Sequence, residues 1–300
     1  MINSLKDMIK FAKLKPKKVI SVAVAQDKEV LQAIKIGVNE GIIIPILVGD
    51  KDKIIQICNE INFNVENYEI IDEKDKIEAC NIAVNKVTMG QAHIIMKGIV
   101  DTSIILKAIL KKEANLRTGR VLSHVGIMDV PTLDRLLLIS DPAINISPDI
   151  MAKKQIIENA VIVAKNIGID KPKVAIICAN EKVNSKMPAT VHAKELEEMN
   201  KRGEITDCIV AGPLALDNAV IEEAAIHKGI DNPVAGKADI LIVPFIEVGN
   251  VLYKSLVFLG NTDAAGVIVG AKVPVVVTSR ADSEDVKINS IALAMLMASN

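Results

Sequence analysis

Short apolar segments alternate with longer amphipathic segments along almost the whole chain. The apolar segments are rich in Ile and Val, which is typical of strands buried on both faces of a sheet. They are residues 19–25, 42–48, 68–71, 93–96, 121–128, 136–140, 174–179, 205–210, 240–244, 267–269 and 273–277. The amphipathic segments predict helices at residues 27–40, 74–87, 149–168, 193–201, 216–228 and 283–297. This alternation predicts an α/β fold with mostly parallel sheets.

Two places depart from simple alternation. Residues 121–128 and 136–140 are joined by a short link containing Pro131, which predicts an antiparallel pair. Pro45 indicates that segment 42–48 is an edge strand or carries Pro45 at its start, because proline cannot donate to a ladder. The change of topology near residues 141–148 is the best divider between two domains.

Composition narrows the class of protein. Half of the 300 residues are hydrophobic but only 2% are aromatic, so aliphatic side chains must fill the cores. The net charge is −1 with both signs mixed along the chain, which argues against nucleic-acid or membrane-surface partners. The apolar runs are shorter than a membrane span, and residues 1–18 predict a short amphipathic helix rather than a signal peptide. Four scattered cysteines predict reduced, buried thiols in a cytoplasmic protein.

The first candidate for chemistry follows the strand at 93–96. Lys97 and Gly98 come after this strand, and Asp101 and Thr102 open a helix. Backbone N–H groups at a helix start bind anions, so the segment is a candidate phosphate site. An ordinary loop with Asp101 as the helix N-cap is the alternative.

Two further candidates follow later strands. Gly212 and Pro213 come after segment 205–210, although both are also ordinary turn residues. Asn250, Tyr253 and Lys254 lie near the start of one predicted helix, where they could orient a phosphate or an adenine-bearing tail. A solvated helix face explains them equally well.

The fourth candidate, TSRADS, ends the last strand and begins the last helix. Ser279 offers a hydroxyl, and the planar guanidinium of Arg280 suits phosphate oxygens. The acids Asp282, Glu284 and Asp285 suit a helix N-terminus but would repel an anion, so one of them is a candidate proton acceptor. Simple helix capping is the alternative.

The histidines do not reveal a catalytic motif. His93 and His124 lie within strands and are expected to be satisfied core residues. The chain lacks a Ser-centred nucleophile elbow and an H-E-x-x-H segment. Direct transfer between two bound substrates is therefore favoured over a covalent intermediate.

The candidate segments, in this order, resemble the phosphate acetyl/butyryl transferase family over nearly the whole chain. The short length and the TSRADS form are more similar to the butyryl-transferring members than to the acetyl-transferring ones. The segments that carry the resemblance are MKGIVDT (96–102), ISDPAINISPD (139–149), AGPLALDNAV (211–220), NPVAGKADILIVP (232–244), EVGNVLYK (247–254) and TSRADS (278–283).

The resemblance implies two α/β domains with a cleft between them, as in isocitrate-dehydrogenase-like proteins. The first domain would comprise residues 1–141 plus 273–300, and the second residues 142–272. The implied reaction is the reversible transfer of a short acyl group, most closely butyryl, between coenzyme A and inorganic phosphate. Coenzyme A would be a substrate, with no permanently bound cofactor or metal, and a homo-oligomer is the expected assembly.

The resemblance also implies residue roles. Ser279 and Arg280 match the pair that handles the phosphoryl end and the transition state. Asp285 matches the base that activates the coenzyme thiol, although the match requires a one-residue gap and Asp282 is the rival. The residues expected to bind substrates are Lys97, Gly98, Thr102, Gly212, Pro213, Asn250, Tyr253 and Lys254.

Other functions remain open from the sequence. A phosphate acetyltransferase is one alternative, and an acyl-carrier-protein-dependent phosphate acyltransferase is another, although no basic docking cluster is evident. A non-catalytic coenzyme A or nucleotide sensor belongs to a different class, and the Ser279-Arg280 pair argues against it. An NAD-dependent dehydrogenase would need a G-x-G-x-x-G segment after the first strand, which is missing.

Overall fold

A computed structural model describes residues 2–279 and 282–298. The strands are β1 (Lys18–Ala23), β2 (Ile43–Gly49), β3 (Glu69–Asp72), β4 (Ile94–Lys97), β5 (Ser123–Asp129), β6 (Leu137–Ser140), β7 (Lys173–Ile177), β8 (Ile209–Leu214), β9 (Ile240–Ile242), β10 (Asp263–Val269) and β11 (Val275–Val276). The helices are α1 (Leu5–Lys13), α2 (Lys28–Asn39), α3 (Lys51–Glu60), α4 (Lys76–Thr88), α5 (Thr102–Ile109), α6 (Ile150–Asn166), α7 (Pro188–Lys201), α8 (Leu216–Val220), α9 (Glu222–His227), α10 (Ile246–Lys254) and α11 (Glu284–Met297), and a π-helical turn follows α10.

The chain divides into two compact units, each described by itself. One unit consists of Leu5–Arg120 and Ala264–Asn300, and we call it the terminal unit. Met1–Ser4 and Val121–Asp263 form the central unit. The predicted domain bounds at 141/142 and 272/273 fall inside these units, because β5 pairs with β6 and β10 pairs with β11. The division into domains at residues 141/142 and 272/273 stays a prediction.

The terminal unit contains the strand order β3-β2-β1-β4-β11-β10. The first five strands pair in parallel, and β10 runs antiparallel to β11. Helix α11 packs against α1 and α2, and its residues from Val286 to Met295 are buried. The last helix is therefore part of the core of this unit.

The central unit contains the order β5-β6-β9-β7-β8. Strands β6, β9, β7 and β8 are parallel, and β5 is antiparallel to β6, which confirms the pair predicted around Pro131. Both units therefore confirm an α/β fold with mostly parallel strands.

The register explains how β2 tolerates Pro45. Strand β2 lies between β1 and β3, so it is not an edge strand. Its ladder with β3 begins at Ile46, one residue after the proline. Pro45 therefore lies just before that ladder, which agrees with the entry position that the sequence allowed.

Two predicted elements of the central unit are wrong in position. The strand expected at 205–210 is Ile209–Leu214, so Gly212 and Pro213 lie inside it and not in a turn after it. The pairing with β7 shifts register between Ala175 and Ile177, which accommodates this irregular strand. The helix expected at 216–228 is broken at Ile221, whose backbone is extended (φ −115°, ψ 118°).

The four cysteines are buried and free, as expected for reduced thiols. Burial raises the pKa of Cys58, Cys80 and Cys178 to about 11, and that of Cys208 to about 12. They therefore remain protonated near neutral pH. Across the described residues, each helix is too short or too polar to cross a bilayer.

Candidate active site

The strand order of the terminal unit brings two of the predicted segments together. Strand β4 pairs in parallel with β1 on one side and with β11 on the other. The loop after β4 and the loop after β11 therefore leave neighbouring strands at the same edge of the sheet. Ligands of open α/β sheets bind at this edge.

Lys97 shapes the loop after β4. Its side chain is buried, and its ammonium donates to the carbonyl oxygens of Gly98 (3.1 Å) and Val100 (3.2 Å). Gly98 is required here because a Cβ atom at this position would lie 2.1 Å from the carbonyl oxygen of Val24. The ammonium of Lys97 therefore holds the backbone of the predicted anion site.

Helix α5 begins directly after this loop. Thr102 is its first residue and is partly buried, and Asp101 occupies the N-cap position without a side-chain capping bond. Asp101 is therefore the N-cap residue by position, but its carboxylate does not cap the helix. The N-terminus of α5 keeps its positive dipole end at the edge of the sheet, as an anion site requires.

The loop after β11 is organised by a buried carboxylate. The Oδ2 atom of Asp282 accepts a hydrogen bond from the N–H of Ser279 (2.6 Å), and the N–H of Asp282 donates to the carbonyl of Ser279 (3.2 Å). Ser279 is exposed, whereas Asp282 is buried. Arg280, predicted as the phosphate clamp, lies outside the described residues.

Lys287, the fourth residue of α11, supports this loop. Its side chain is only 2% exposed, and its ammonium contacts the Glu29 carboxylate (2.9 Å) and the Asp282 carbonyl oxygen. Asp285 lies in the first turn of the same helix and is exposed. Asp282 is thus committed to the backbone, while the carboxylate of Asp285 is in contact with solvent.

In the central unit, Asp141 organises the loop after β6. Its buried carboxylate accepts the N–H groups of Ala143, Ile144 and Asn145, at 2.9 to 3.1 Å, and the side-chain amide of Asn145. Asn250 of α10 donates its side-chain amide to the Pro142 carbonyl oxygen (3.3 Å). The predicted substrate residue Asn250 thus joins helix α10, which follows β9, to the loop that follows the adjacent strand β6.

Tyr253 packs from α10 onto strand β5. A Cβ atom at Gly126 would lie 2.7 Å from the Tyr253 ring, so only glycine leaves room for it. The ring meets His124 edge-on, with centroids 6.1 Å apart and an interplanar angle of 86°. Lys254 is exposed on the same helix. Tyr253 therefore packs against the sheet. Lys254 instead lies on a solvated helix face, which was the alternative to substrate binding.

His124 is the residue that sequence reasoning misjudged. His93 is satisfied, since its Nδ1 accepts the N–H of Val19 (3.2 Å). His124 is buried, but its Nδ1 has no hydrogen-bond partner among the described residues. Burial lowers its pKa, opposed by the nearby Asp141 carboxylate. A position inside an apolar strand gives no signal of an unsatisfied ring nitrogen.

Gly212 and Pro213 line a separate small pocket of the central unit. Its volume is about 310 Å³, and Glu181, Lys194 and Glu197 also line it. The two glutamates in the lining disfavour the binding of an anion in this pocket. The pocket therefore gives these two residues a surface on which to contact a ligand, but not the features of a phosphate site.

A metal-binding site in a protein needs several His, Cys, Asp or Glu side chains close together. Among residues 2–279 and 282–298, no group of three or more His, Cys, Asp or Glu side chains is arranged to hold a metal ion. The candidate chemistry consists of hydroxyl, amide, ammonium and carboxylate groups with helix N-termini. Such a set suits anion binding and proton transfer.

Comparison with known proteins identifies the class. The family model described as "Phosphate acetyl/butaryl transferase" matches residues 76–295, so the chain belongs to this transferase family. The chain is 48% identical to the phosphate butyryltransferase of Clostridium acetobutylicum, with all of both chains covered. It is 46% identical to the phosphate acetyltransferase of Thermotoga maritima, covering 98% of this chain and 99% of that one. These relatives confirm that the chain is a phosphate acyltransferase.

A solved structure agrees with the sequence comparison. The crystal structure of a branched-chain phosphotransacylase from Enterococcus faecalis matches with a TM-score of 0.83 and 38% identity. The match covers 93% of this chain and 98% of that chain. The fold described above is therefore that of a phosphotransacylase.

His124 gives a prediction about stability and pH. Its folded-state pKa is lowered by burial, so the folded protein binds fewer protons than the unfolded chain. Stability should then be fully present above the unfolded pKa of about 6.5 and should fall as the pH falls below it. We expect His124→Gln to reduce the loss of unfolding free energy between pH 7.5 and pH 5.5, measured by urea denaturation.

His93 and His192 also have pKa values lowered mainly by burial, so part of the pH dependence will persist in the variant. His227→Gln, the same substitution at an exposed histidine, is the control. An unaltered pH dependence in His124→Gln would show that His124 is not the buried neutral group described above.

Proposed function

We propose that this transferase moves a butyryl group reversibly between coenzyme A and inorganic phosphate: acyl-CoA and phosphate give acyl phosphate and coenzyme A. The observation that carries the proposal is the full-length similarity to the phosphate butyryltransferase of Clostridium acetobutylicum. The phosphate acetyltransferase of Thermotoga maritima is almost as similar. Acetyl transfer is therefore the second candidate.

The phosphoryl end of the substrate is assigned to the terminal unit. The N-terminus of α5 and the hydroxyl group of Thr102 supply donors for phosphate oxygens, and they follow a loop whose close packing requires glycine at position 98. Arg280 is assigned the role of a bidentate clamp because its planar guanidinium matches two phosphate oxygens. The neighbouring carboxyl ends of β4 and β11 support this assignment.

The thiol of coenzyme A needs to lose its proton before attack. Its pKa is close to that of a cysteine, about 8.5, so a carboxylate base helps at neutral pH. Asp285 is the proposed base, and its exposure supports this choice. Asp282 is a poor candidate because its carboxylate accepts the N–H of Ser279.

The reaction then proceeds by direct attack with both substrates bound. The thiolate attacks the carbonyl carbon of the acyl phosphate, the C–O bond to phosphate breaks, and a thioester forms. Ser279 stabilises the charge that develops on the carbonyl oxygen, and Arg280 holds the departing phosphate. Orientation of the two substrates supplies much of the acceleration.

Coenzyme A is assigned to the central unit through Asn250, Tyr253, Lys254, Gly212 and Pro213. The fixed amide of Asn250 and the packed ring of Tyr253 support contacts to its polar tail. We further propose a cytoplasmic homo-oligomer without a permanently bound cofactor or metal, with acyl-CoA and phosphate as its only small partners. The free, buried cysteines are consistent with a reducing compartment.

The acyl chain can be tested directly. Acetyl-, propionyl-, butyryl-, isobutyryl- and valeryl-CoA are compared with phosphate, in a buffer containing a chelator, by following thiol release. We expect kcat/KM to be at least about 10-fold higher for butyryl- than for acetyl-CoA, since each methylene is worth about 1–3 kcal/mol. Highest efficiency with acetyl-CoA would establish the second candidate instead.

Arg280 gives a second prediction. Arg280→Lys keeps the charge but removes the planar fork. We expect kcat/KM for phosphate to fall at least ~10-fold, about 1.4 kcal/mol, while the KM for coenzyme A in the reverse direction changes little. Arg202→Lys, the same exchange at an exposed arginine of the central unit, is the control. Unchanged phosphate kinetics in Arg280→Lys would exclude the clamp.

The two aspartates should behave differently. Asp285→Asn should lower kcat ~10²–10⁴-fold, the usual effect of removing a general base, and the rate should recover partly at higher pH as the thiol ionises unaided. Asp282→Asn should instead lower stability and weaken phosphate binding, since a neutral amide is a weaker acceptor for the Ser279 N–H than a carboxylate is. A pH-rescued loss in Asp282→Asn with a silent Asp285→Asn would reverse the two roles.

A further inference from the structure

Lys153 is a buried cation in the central unit. It lies in the first turn of α6 and is 1% exposed. Its ammonium lies 3.0 Å from Nδ1 of His192 on α7 and 5.5 Å from the centroid of the Phe245 ring at the start of α10. None of these residues has a role in the proposed chemistry above.

The position of this ammonium is electrostatically unfavourable. No carboxylate of the described residues forms an ion pair with it, and the carboxylate of Asp149 caps α6 through the N–H of Ala152. Burial of an unpaired charge is costly, and the N-terminal turn of a helix disfavours cations. Burial accordingly lowers the pKa of Lys153. The charge of Asp149 opposes this shift but is not paired with the ammonium, so Lys153 lacks an ion-pair partner.

The groups around Lys153 come from the carboxyl ends of three adjacent parallel strands. Helix α6 follows β6, Cys178 directly follows β7, and Phe245 follows β9 at the N-cap of α10. These strands are neighbours in the order β6-β9-β7. Helices α7 and α10 both begin without a side-chain capping bond. Ligands of parallel sheets bind at this edge, and helix N-termini favour anions.

His192 and Cys178 are suited to an anion as well. Burial and the charge of Lys153 lower the pKa of His192, which favours its neutral ring. Nδ1 of this ring then accepts a hydrogen bond from the Lys153 ammonium, and the ring hydrogen is on Nε2. Nε2 is then a second donor. Burial raises the pKa of Cys178 to about 11, so its thiol adds no competing negative charge.

We propose that Lys153 and His192 form a binding site for a phosphate group at the carboxyl ends of β6, β9 and β7. The inference rests on the proposed function for its choice of ligand, because both proposed substrates carry phosphate. The group belongs either to coenzyme A, which has a phosphate ester and a diphosphate, or to free phosphate. A bound dianion supplies the negative charge that the buried ammonium lacks.

The test uses Lys153→Met, which keeps the length of the side chain and removes its charge. Lys165→Met is the matched control, since Lys165 lies on the same helix but is exposed and pairs with Asp207. The full-length proteins are titrated calorimetrically with coenzyme A and, separately, with inorganic phosphate. We expect Lys153→Met to weaken at least one affinity at least 10-fold, and Lys165→Met to change both by less than 2-fold.

The outcomes separate the two sources and the alternative of a structural lysine. Weaker binding of coenzyme A alone assigns the site to the coenzyme, and weaker binding of phosphate alone assigns it to free phosphate. Without ligand, Lys153→Met should unfold at the same or a higher temperature, because it removes an uncompensated buried charge. Both affinities within 2-fold of the parent protein would overturn the proposal, whatever the stability. Since binding is measured without turnover, a failure of butyryl transfer would not affect this result.

Discussion

The parallel pairing of β4 with both β1 and β11 is the constraint on which the terminal unit depends. Strand β11 comes from the far end of the chain, so the sheet is completed only when residues after 264 return to it. The same pairing sets the loop after β4 beside the loop after β11. Local sequence order alone would never bring Lys97 and Ser279 to one edge. Helix α11, almost wholly buried, then fixes the returning segment in the core.

Both candidate regions are built on buried carboxylates that hold backbone N–H groups. Asp282 holds the N–H of Ser279, and Asp141 holds three successive N–H groups after β6. In each case, the side-chain oxygens of an aspartate replace the hydrogen bonds that a loop loses when it leaves its strand. A buried acid in such a position is an organiser of the loop, and an exposed acid nearby remains available for proton transfer.

Much of the fold follows from the sequence, because buried parallel strands are continuous aliphatic runs and need no partner to be recognised. The antiparallel pair was predictable because only a short link, which contains Pro131, joins its two apolar runs. The position of β8 was not, since Gly212 and Pro213 are typical turn residues that a register shift admits into a strand. Nor was the break at Ile221, because an apolar residue in a helical pattern carries no stop signal.

The candidate site divides in the same way. Gly98 and the segment around Ser279 were recognisable because glycine and polar residues directly follow apolar strands. Lys153 and His124 were not, because a lysine in an amphipathic helix predicts a solvated side chain and a histidine in a strand predicts a satisfied one. Whether a buried polar group has a hydrogen-bond or ion-pair partner is a property of the tertiary structure. Only the packing of α6, α7 and α10 reveals it for Lys153.

The raised pKa values of the four cysteines have a consequence for an enzyme proposed to handle acyl phosphate. Such a compound acylates any accessible thiolate, including those of the protein that makes it. With pKa values of about 11 to 12, the internal thiols ionise at least ~10²-fold less than a thiol of pKa about 8.5. Burial also denies them contact with the reagent. The chain thus protects its own sulfur atoms from self-acylation and leaves the thiol of the coenzyme as the preferred acceptor.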